Sequence, residues 1–278
     1  MFDFTGKIAV VTGAGGTLCS VMAEKLAQHG AAVVLVGRTE SKLVPVAEAI
    51  AAQGGKSAIK TCDVTDEAAV RRIAREIETE LGRVHFLING AGGNSADATT
   101  KKEAYTADEF APDHTPGFFD LDLDAVRRVL DVNTMGTVIP SRVFGEQMAK
   151  SGGGCIVNFA SMNSYKPLTK NPAYAMAKAA VYNFTEWLAA YLAPANIRVN
   201  AIAPGFFLNE RSKKFLTTPE GGLTARGEHV MAHTPMKRFG EAQDLWGTMA
   251  YLLDDEASGF VTGVVMPVDG GFIAHPGI

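Results

Sequence analysis

Seven short runs rich in Val, Ile and Ala recur along the chain with helical patterns between them, and this alternation limits the fold more than any other feature. The runs are KIAVVTG (7–13), AAVVLVGR (31–38), KSAIKTCDV (56–64), VHFLINGAG (84–92), GCIVNFAS (154–161), IRVNAIAPG (197–205) and GVVMPVDGG (263–271). Strands without polar alternation are covered on both faces, and their alternation with helices predicts a parallel sheet. Helical spacing fills 41–55, 66–82, 123–150, 173–193 and a stretch near 241–254.

The economical reading is one doubly wound α/β domain of the Rossmann type over residues 1–278, with helices on both faces and no linker or repeat. Two segments break the rhythm. Residues 94–124 carry eight Asp and Glu against two Lys, and 206–238 carry six Lys and Arg against three Glu. Both follow strands at their C-terminal ends, where open parallel sheets bind ligands. The basic segment suits either an anionic ligand or a solvated surface.

A formal charge of −4 argues against nucleic acid as a partner, because phosphate binding needs a basic surface. No signal peptide or apolar run of membrane-spanning length is evident, so no membrane partner is expected. Three widely spaced cysteines, Cys19, Cys62 and Cys155, give no metal-ligand spacing and suit a reducing cytoplasm.

The first strand enters a glycine-rich turn, TGAGGTLCS, and then a helix. Where a dinucleotide turn usually has glycines, this protein has Gly13, Thr17 and Cys19. Gly13 can make the tight turn, Gly15 and Gly16 keep the loop adaptable, and Cys19 is small enough for close packing. Thr17 can cap the helix or offer its hydroxyl to a phosphate.

Tyr174 and Lys178 stand four residues apart in a helical stretch and so share a face. A lysine cation beside a phenol favours the phenolate, which can exchange a proton with a carbonyl or alcohol oxygen. Ser161 closes a strand thirteen residues before Tyr174, and Asn133 sits inside a helix that asparagine does not favour.

The motifs TGAGG, CDV, NGAG, the Val-Asn at 132–133, Ser161, YAMAK, IRVNAIAPG and VTGVVMPVDGG stand in the order and spacing of the short-chain dehydrogenase/reductases. The protein resembles that family from about Phe4 to Phe272. The resemblance implies a catalytic tetrad of Asn133, Ser161, Tyr174 and Lys178. Tyr174 is then the acid in reduction, Ser161 polarises the carbonyl, Lys178 holds the nicotinamide ribose, and Asn133 supports a water that relays protons to Lys178.

It also implies cofactor contacts at Gly13, Gly15, Gly16, Thr17, Leu18, Arg38, Asp63, Val64, Asn89, Gly90, Ala91, Tyr174, Lys178, Pro204, Gly205, Phe207 and Asn209. Asn209 replaces a threonine usual among relatives. Gly37 and Arg38 replace the acidic residue that would hold a ribose hydroxyl, so NADP is the preferred cofactor and NAD the alternative.

NGAGGN, FFDLD, SMN, PLTK, APGFFL, AHTPM and RFGE further resemble one branch of that family, the D-mannonate oxidoreductases, also called fructuronate reductases. That implies reversible reduction of D-fructuronate to D-mannonate, with Asn94, Ser161, Asn163, Lys170 and Arg211 toward the sugar acid and no metal. The alternatives are reduction of another keto acid or ketone, such as 5-keto-gluconate, or a silent NADP-sensing protein. A homodimer or homotetramer is implied.

Overall fold

The structure, a computed structural model, describes residues 2–275, apart from the side chains of Glu210 and Arg211. The first half runs β1 (Ile8–Thr12), α1 (Thr17–Gln28), β2 (Ala32–Gly37), α2 (Glu40–Ala52), β3 (Lys56–Thr61), α3 (Glu67–Glu80) and β4 (Phe86–Asn89). The second runs α4 (Leu123–Lys150), β5 (Gly154–Phe159), α5 (Pro172–Leu192), β6 (Ile197–Pro204), α6 (Glu210–Leu216), α7 (Ala225–His233), α8 (Trp246–Leu253), α9 (Asp255–Ser258) and β7 (Val265–Val268). The strands form one sheet in the order β3-β2-β1-β4-β5-β6-β7, paired in parallel throughout.

Strand order reverses between β1 and β4, which opens a crevice at their C-terminal ends. Apolar side chains cover both faces of the sheet. Met22 and Leu26 of α1, Leu43 and Ile50 of α2 and Met249 and Leu252 of α8 bury one face. Ile73 and Ile77 of α3, Phe144 and Met148 of α4 and Leu188 of α5 bury the other. This two-sided burial explains why the strands carry little polar alternation.

The helices that position the site have identifiable starts. Asp122 caps α4 by accepting from the amides of Asp124 and Ala125, and Pro172 opens α5 at a position where its missing N–H is harmless. Helix α4 continues unbroken across Pro140, as its apolar spacing predicts. The 94–124 segment contains only short 3-10 turns, at Ala96–Ala98, Ala107–Phe110 and Phe118–Asp120. It is tied down where the Thr100 amide donates to the Lys170 carbonyl at 3.1 Å. The 206–238 segment, whose sequence reads as irregular or loosely helical, holds the two short helices α6 and α7.

Candidate active site

The turn after β1 is set by contact with β4. Gly13 adopts φ +67°, and a Cβ there would lie 2.7 Å from the Gly90 carbonyl, so glycine is required for both conformation and space. Cys19 is buried in α1 with its sulfur against Gly90, where an added Cβ would overlap it. Burial pushes the Cys19 thiol up to about 12, so it packs as a neutral group.

Thr17 is the first residue of α1, and its expected capping role falls instead to Gly16, which supplies no side-chain cap. The N-terminal amides of α1, including those of Thr17 and Leu18, therefore begin a helix whose dipole favours an anion. Gly15 packs against Lys42 at the start of α2, and the Gly16 amide donates to the Gly13 carbonyl at 2.9 Å.

Thr12, which sequence reasoning did not single out, links the two sides of the crevice. Its hydroxyl accepts from the amides of Gly90 and Ala91, each at 3.1 Å. The signal was its place at the end of a strand directly before the glycines. Asn89, expected beside the cofactor, buries its side chain in the sheet, where Nδ2 donates to Ser141 Oγ and Asn158 Oδ1 at 2.8 and 2.9 Å.

Arg38 and Asp63 meet across the ends of β2 and β3, with Nη1 3.9 Å from Oδ2. Partial burial raises the Asp63 carboxyl, but hydrogen bonds from Thr65 and the nearby guanidinium outweigh it and hold the pKa below its ordinary value. Arg38 remains 69% exposed at its side chain, so the pair leaves most of the guanidinium facing solvent. Val64 is buried against Gly136 of α4.

Helix α5 brings Lys178 into the interior. Its Nζ donates to the Phe159 carbonyl at 2.7 Å and lies 5.7 Å from the centre of the Tyr174 ring. Burial pushes this lysine down to about 8. Gly92 separates Lys178 from Asn133, with room for a hydrogen and none for a side chain on the Asn133 side.

Asn133 grips the neighbouring backbone. Its Oδ1 accepts from the Gly93 amide at 3.2 Å, and its Nδ2 donates to the carbonyls of Gly93 and Val129, both at 2.7 Å. The polar residue that looked misplaced in a helix thus fixes the loop leaving β4. Ser161, 5% exposed, starts the 3-10 turn Met162–Ser164 just past β5.

The described side chains expected toward substrate already have partners within the protein. Asn94 Nδ2 donates to Asn171 Oδ1 at 2.8 Å, joining the loop after β4 to the start of α5. Asn163 is buried with its amide on Ser161 Oγ. Lys170 takes a left-handed backbone, φ +70°, and its Nζ is 3.5 Å from Glu103 Oε1. Arg211 belongs to α6, but its side chain lies outside the described residues.

On the β6 side, Pro204 ends the strand opposite Val268, and Gly205 leaves no room for a Cβ against Asp269. Phe207, expected at the cofactor, buries its ring against Gly240 in the core. Asn209, expected at the carboxamide, uses its Oδ1 to accept from the Ser212 amide at 2.9 Å, as a cap of α6. An exposed helix start leaves amides that need an acceptor, which explains this use.

These features fit a nicotinamide dinucleotide. A positive-φ glycine brings the turn backbone close to the residues after β4, the start of α1 has no side-chain cap, and a buried cation stands beside Tyr174 and across Gly92 from Asn133. Bound there, the dinucleotide would place its pyrophosphate on Gly13–Leu18 and its nicotinamide ribose near Tyr174 and Lys178. Among the described residues no His, Cys, Asp and Glu gather as a metal-binding set. No helix among them is long and apolar enough to cross a membrane.

Residues 13–273 match the family model described as enoyl-(acyl carrier protein) reductase. The uncharacterised oxidoreductase UxuB of Bacillus subtilis is 44% identical over 276 residues, 99% of this chain and 98% of that protein. The 7alpha-hydroxysteroid dehydrogenase of Escherichia coli K12 is 30% identical over 266 residues, 96% and 94% of the two proteins. A solved structure from Haemophilus influenzae, a candidate D-mannonate oxidoreductase with NAD bound, superposes with a TM-score of 0.95 at 41% identity, covering 100% of this protein and 98% of that one. By likeness over nearly the whole length, in sequence and in backbone, the protein belongs to the short-chain dehydrogenase/reductases, oxidoreductases that act on alcohol groups with a nicotinamide cofactor.

Proposed function

We propose that the protein interconverts D-fructuronate and D-mannonate, with NADP preferred over NAD, and that Asn133, Ser161, Tyr174 and Lys178 carry the reaction. The observation that supports it best is the polar set at Ser161 and at the start of α5, the helix that carries Tyr174. Ser161 is hydrogen-bonded to Asn163, and Asn94 to Asn171, with Lys170 next in the sequence. A hydroxyl and amides, with Lys170 shared with Glu103, suit a hydroxylated substrate, whereas an acyl thioester calls for an apolar channel. The Haemophilus influenzae neighbour, a candidate D-mannonate oxidoreductase, supports the sugar-acid part of this reading, and the NAD bound to it marks the alternative cofactor.

A bound nicotinamide supplies hydride in reduction and receives it in oxidation. Tyr174 gives a proton to the substrate oxygen during reduction, and Ser161 donates a hydrogen bond to that oxygen as charge builds on it. Lys178 provides positive charge beside the phenol, anchored on the Phe159 carbonyl. Asn133 holds the backbone at Gly93 and so keeps the crevice wall in place. At the other end of the crevice, the exposed Arg38 guanidinium suits a 2′-phosphate.

Exposed Met135 on α4 and Met176, Trp187 and Tyr191 on α5 support a homodimer or homotetramer. Cys19, Cys62 and Cys155, free and buried, suit a cytoplasmic location. The test is product analysis with NADPH and, separately, D-fructuronate, 5-keto-gluconate and an enoyl thioester. D-mannonate as the main product bears the proposal out; turnover of the thioester alone overturns it.

A further inference from the structure

A serine hydroxyl can donate one hydrogen bond and accept two, and only the donated one stabilises negative charge on a reacting oxygen. An unconstrained hydroxyl rotates among its options. Ser161 is constrained. Its Oγ accepts from the Asn163 backbone amide at 3.2 Å and from Asn163 Nδ2 at 3.3 Å, while among the described residues its own O–H has no acceptor.

The amide of Asn163 cannot turn to offer its oxygen instead. Leu168 N–H, which can only donate, delivers to Asn163 Oδ1 at 3.0 Å and so fixes Nδ2 on the serine. Asn163 is 7% exposed, which leaves little solvent to compete for these bonds. The turn is also anchored to α5, because Ser164 Oγ accepts from the Ser161 amide at 3.3 Å and donates to the Lys178 carbonyl at 2.7 Å.

We infer that Asn163 is a positioning residue, which occupies both accepting sides of Ser161 Oγ and leaves its proton for the substrate oxygen. The inference rests on the proposed role of Ser161. It replaces direct substrate binding by Asn163, whose amide is already engaged on both atoms. Its consequence is that the polarity of one hydrogen bond, set from a residue that does not touch substrate, governs the chemical step.

The test is Asn163→Asp. A carboxylate keeps the shape and the bond from Leu168 N–H, but its second oxygen accepts and draws the Ser161 proton away from substrate. At about pH 8, kcat for keto-acid reduction should fall about 100-fold, the scale of losing one oxyanion donor, while NADPH binding measured by fluorescence is unchanged. As pH falls toward about 5 the introduced carboxyl gains a proton and can donate again, so the ratio of variant to wild-type kcat should climb about tenfold. In a Ser161→Ala background, Asn163→Asp should have no further effect.

A pH-independent ratio, or wild-type turnover in Asn163→Asp beside an inactive Ser161→Ala, overturns the inference and leaves the proposed site intact. Wild-type turnover in Ser161→Ala overturns both. A readout independent of turnover is the Asn163 carboxamide in nitrogen-15 NMR of the cofactor-free protein. Ser161→Ala should shift that signal upfield and speed its exchange; an unchanged signal contradicts the bond itself.

Discussion

Lys178 Nζ donates to the Phe159 carbonyl at 2.7 Å from a position only 5% exposed, so the fold buries a cation against a backbone oxygen. Burial lowers this lysine from 10.5 to about 8. Below about 8 the native protein bears the full penalty of a buried charge, about 3 kcal/mol at 1.4 kcal/mol per pKa unit. Between the two values the unfolded state binds the extra proton, so stability rises with pH. Lys178→Met removes the penalty and leaves the Phe159 carbonyl unpaired. The unfolding free energy of wild type relative to this variant should therefore increase by about 3 kcal/mol between about pH 7 and about pH 10.5 in denaturant titrations. A flat difference would contradict a buried lysine with lowered pKa.

The contact of Cys19 with Gly90 predicts a coupled pair. Gly90→Ala forces a methyl onto the sulfur and to 2.9 Å from the Thr12 carbonyl, and should destabilise by about 2–3 kcal/mol. Cys19→Gly alone also destabilises, by about 1–2 kcal/mol, because a buried side chain is lost and glycine frees the helix backbone. Together they should cost less than the sum, because the sulfur overlap is gone and the Thr12 contact remains. Additive losses would show that the turn relaxes around the methyl.

In the proposed function, Arg38 is the group that selects the cofactor. Arg38→Ala should raise the KM for NADPH about 10- to 100-fold, on the scale of one charge-assisted pair, and change that for NADH only slightly. Equal losses with both cofactors would make Arg38 an adenine-side contact with no phosphate preference.

Asn209 caps α6, so Asn209→Ala should destabilise the protein by about 1 kcal/mol, and Asn209→Thr by less, because threonine also caps. Thermal unfolding of the cofactor-free protein separates this from any role at the carboxamide. If Asn209→Ala melts as wild type does, the cap contributes nothing.

The sheet and the long helices were legible because burial on both faces imposes a period that sequence displays, from the Val-rich strands to α4 running through Pro140. Asn133, Ser161, Tyr174 and Lys178 are proposed from spaced motifs, which carry position alone. What each polar atom does was not legible. An asparagine is equally able to face substrate, cap a helix or brace a loop, and partners come from distant segments: Asn94 meets Asn171 from 77 residues away. The burial of Lys178 had no sequence signal either, since a lysine four residues after a tyrosine reads the same on a wet face as on a dry one.

The most direct test of the account is the initial rate of nicotinamide oxidation with D-fructuronate, comparing NADPH with NADH and wild type with Tyr174→Phe. The account predicts turnover that favours NADPH and falls at least about 1,000-fold in Tyr174→Phe while cofactor binding persists. Undiminished turnover in Tyr174→Phe, or no turnover of D-fructuronate by folded protein that binds cofactor, would contradict it.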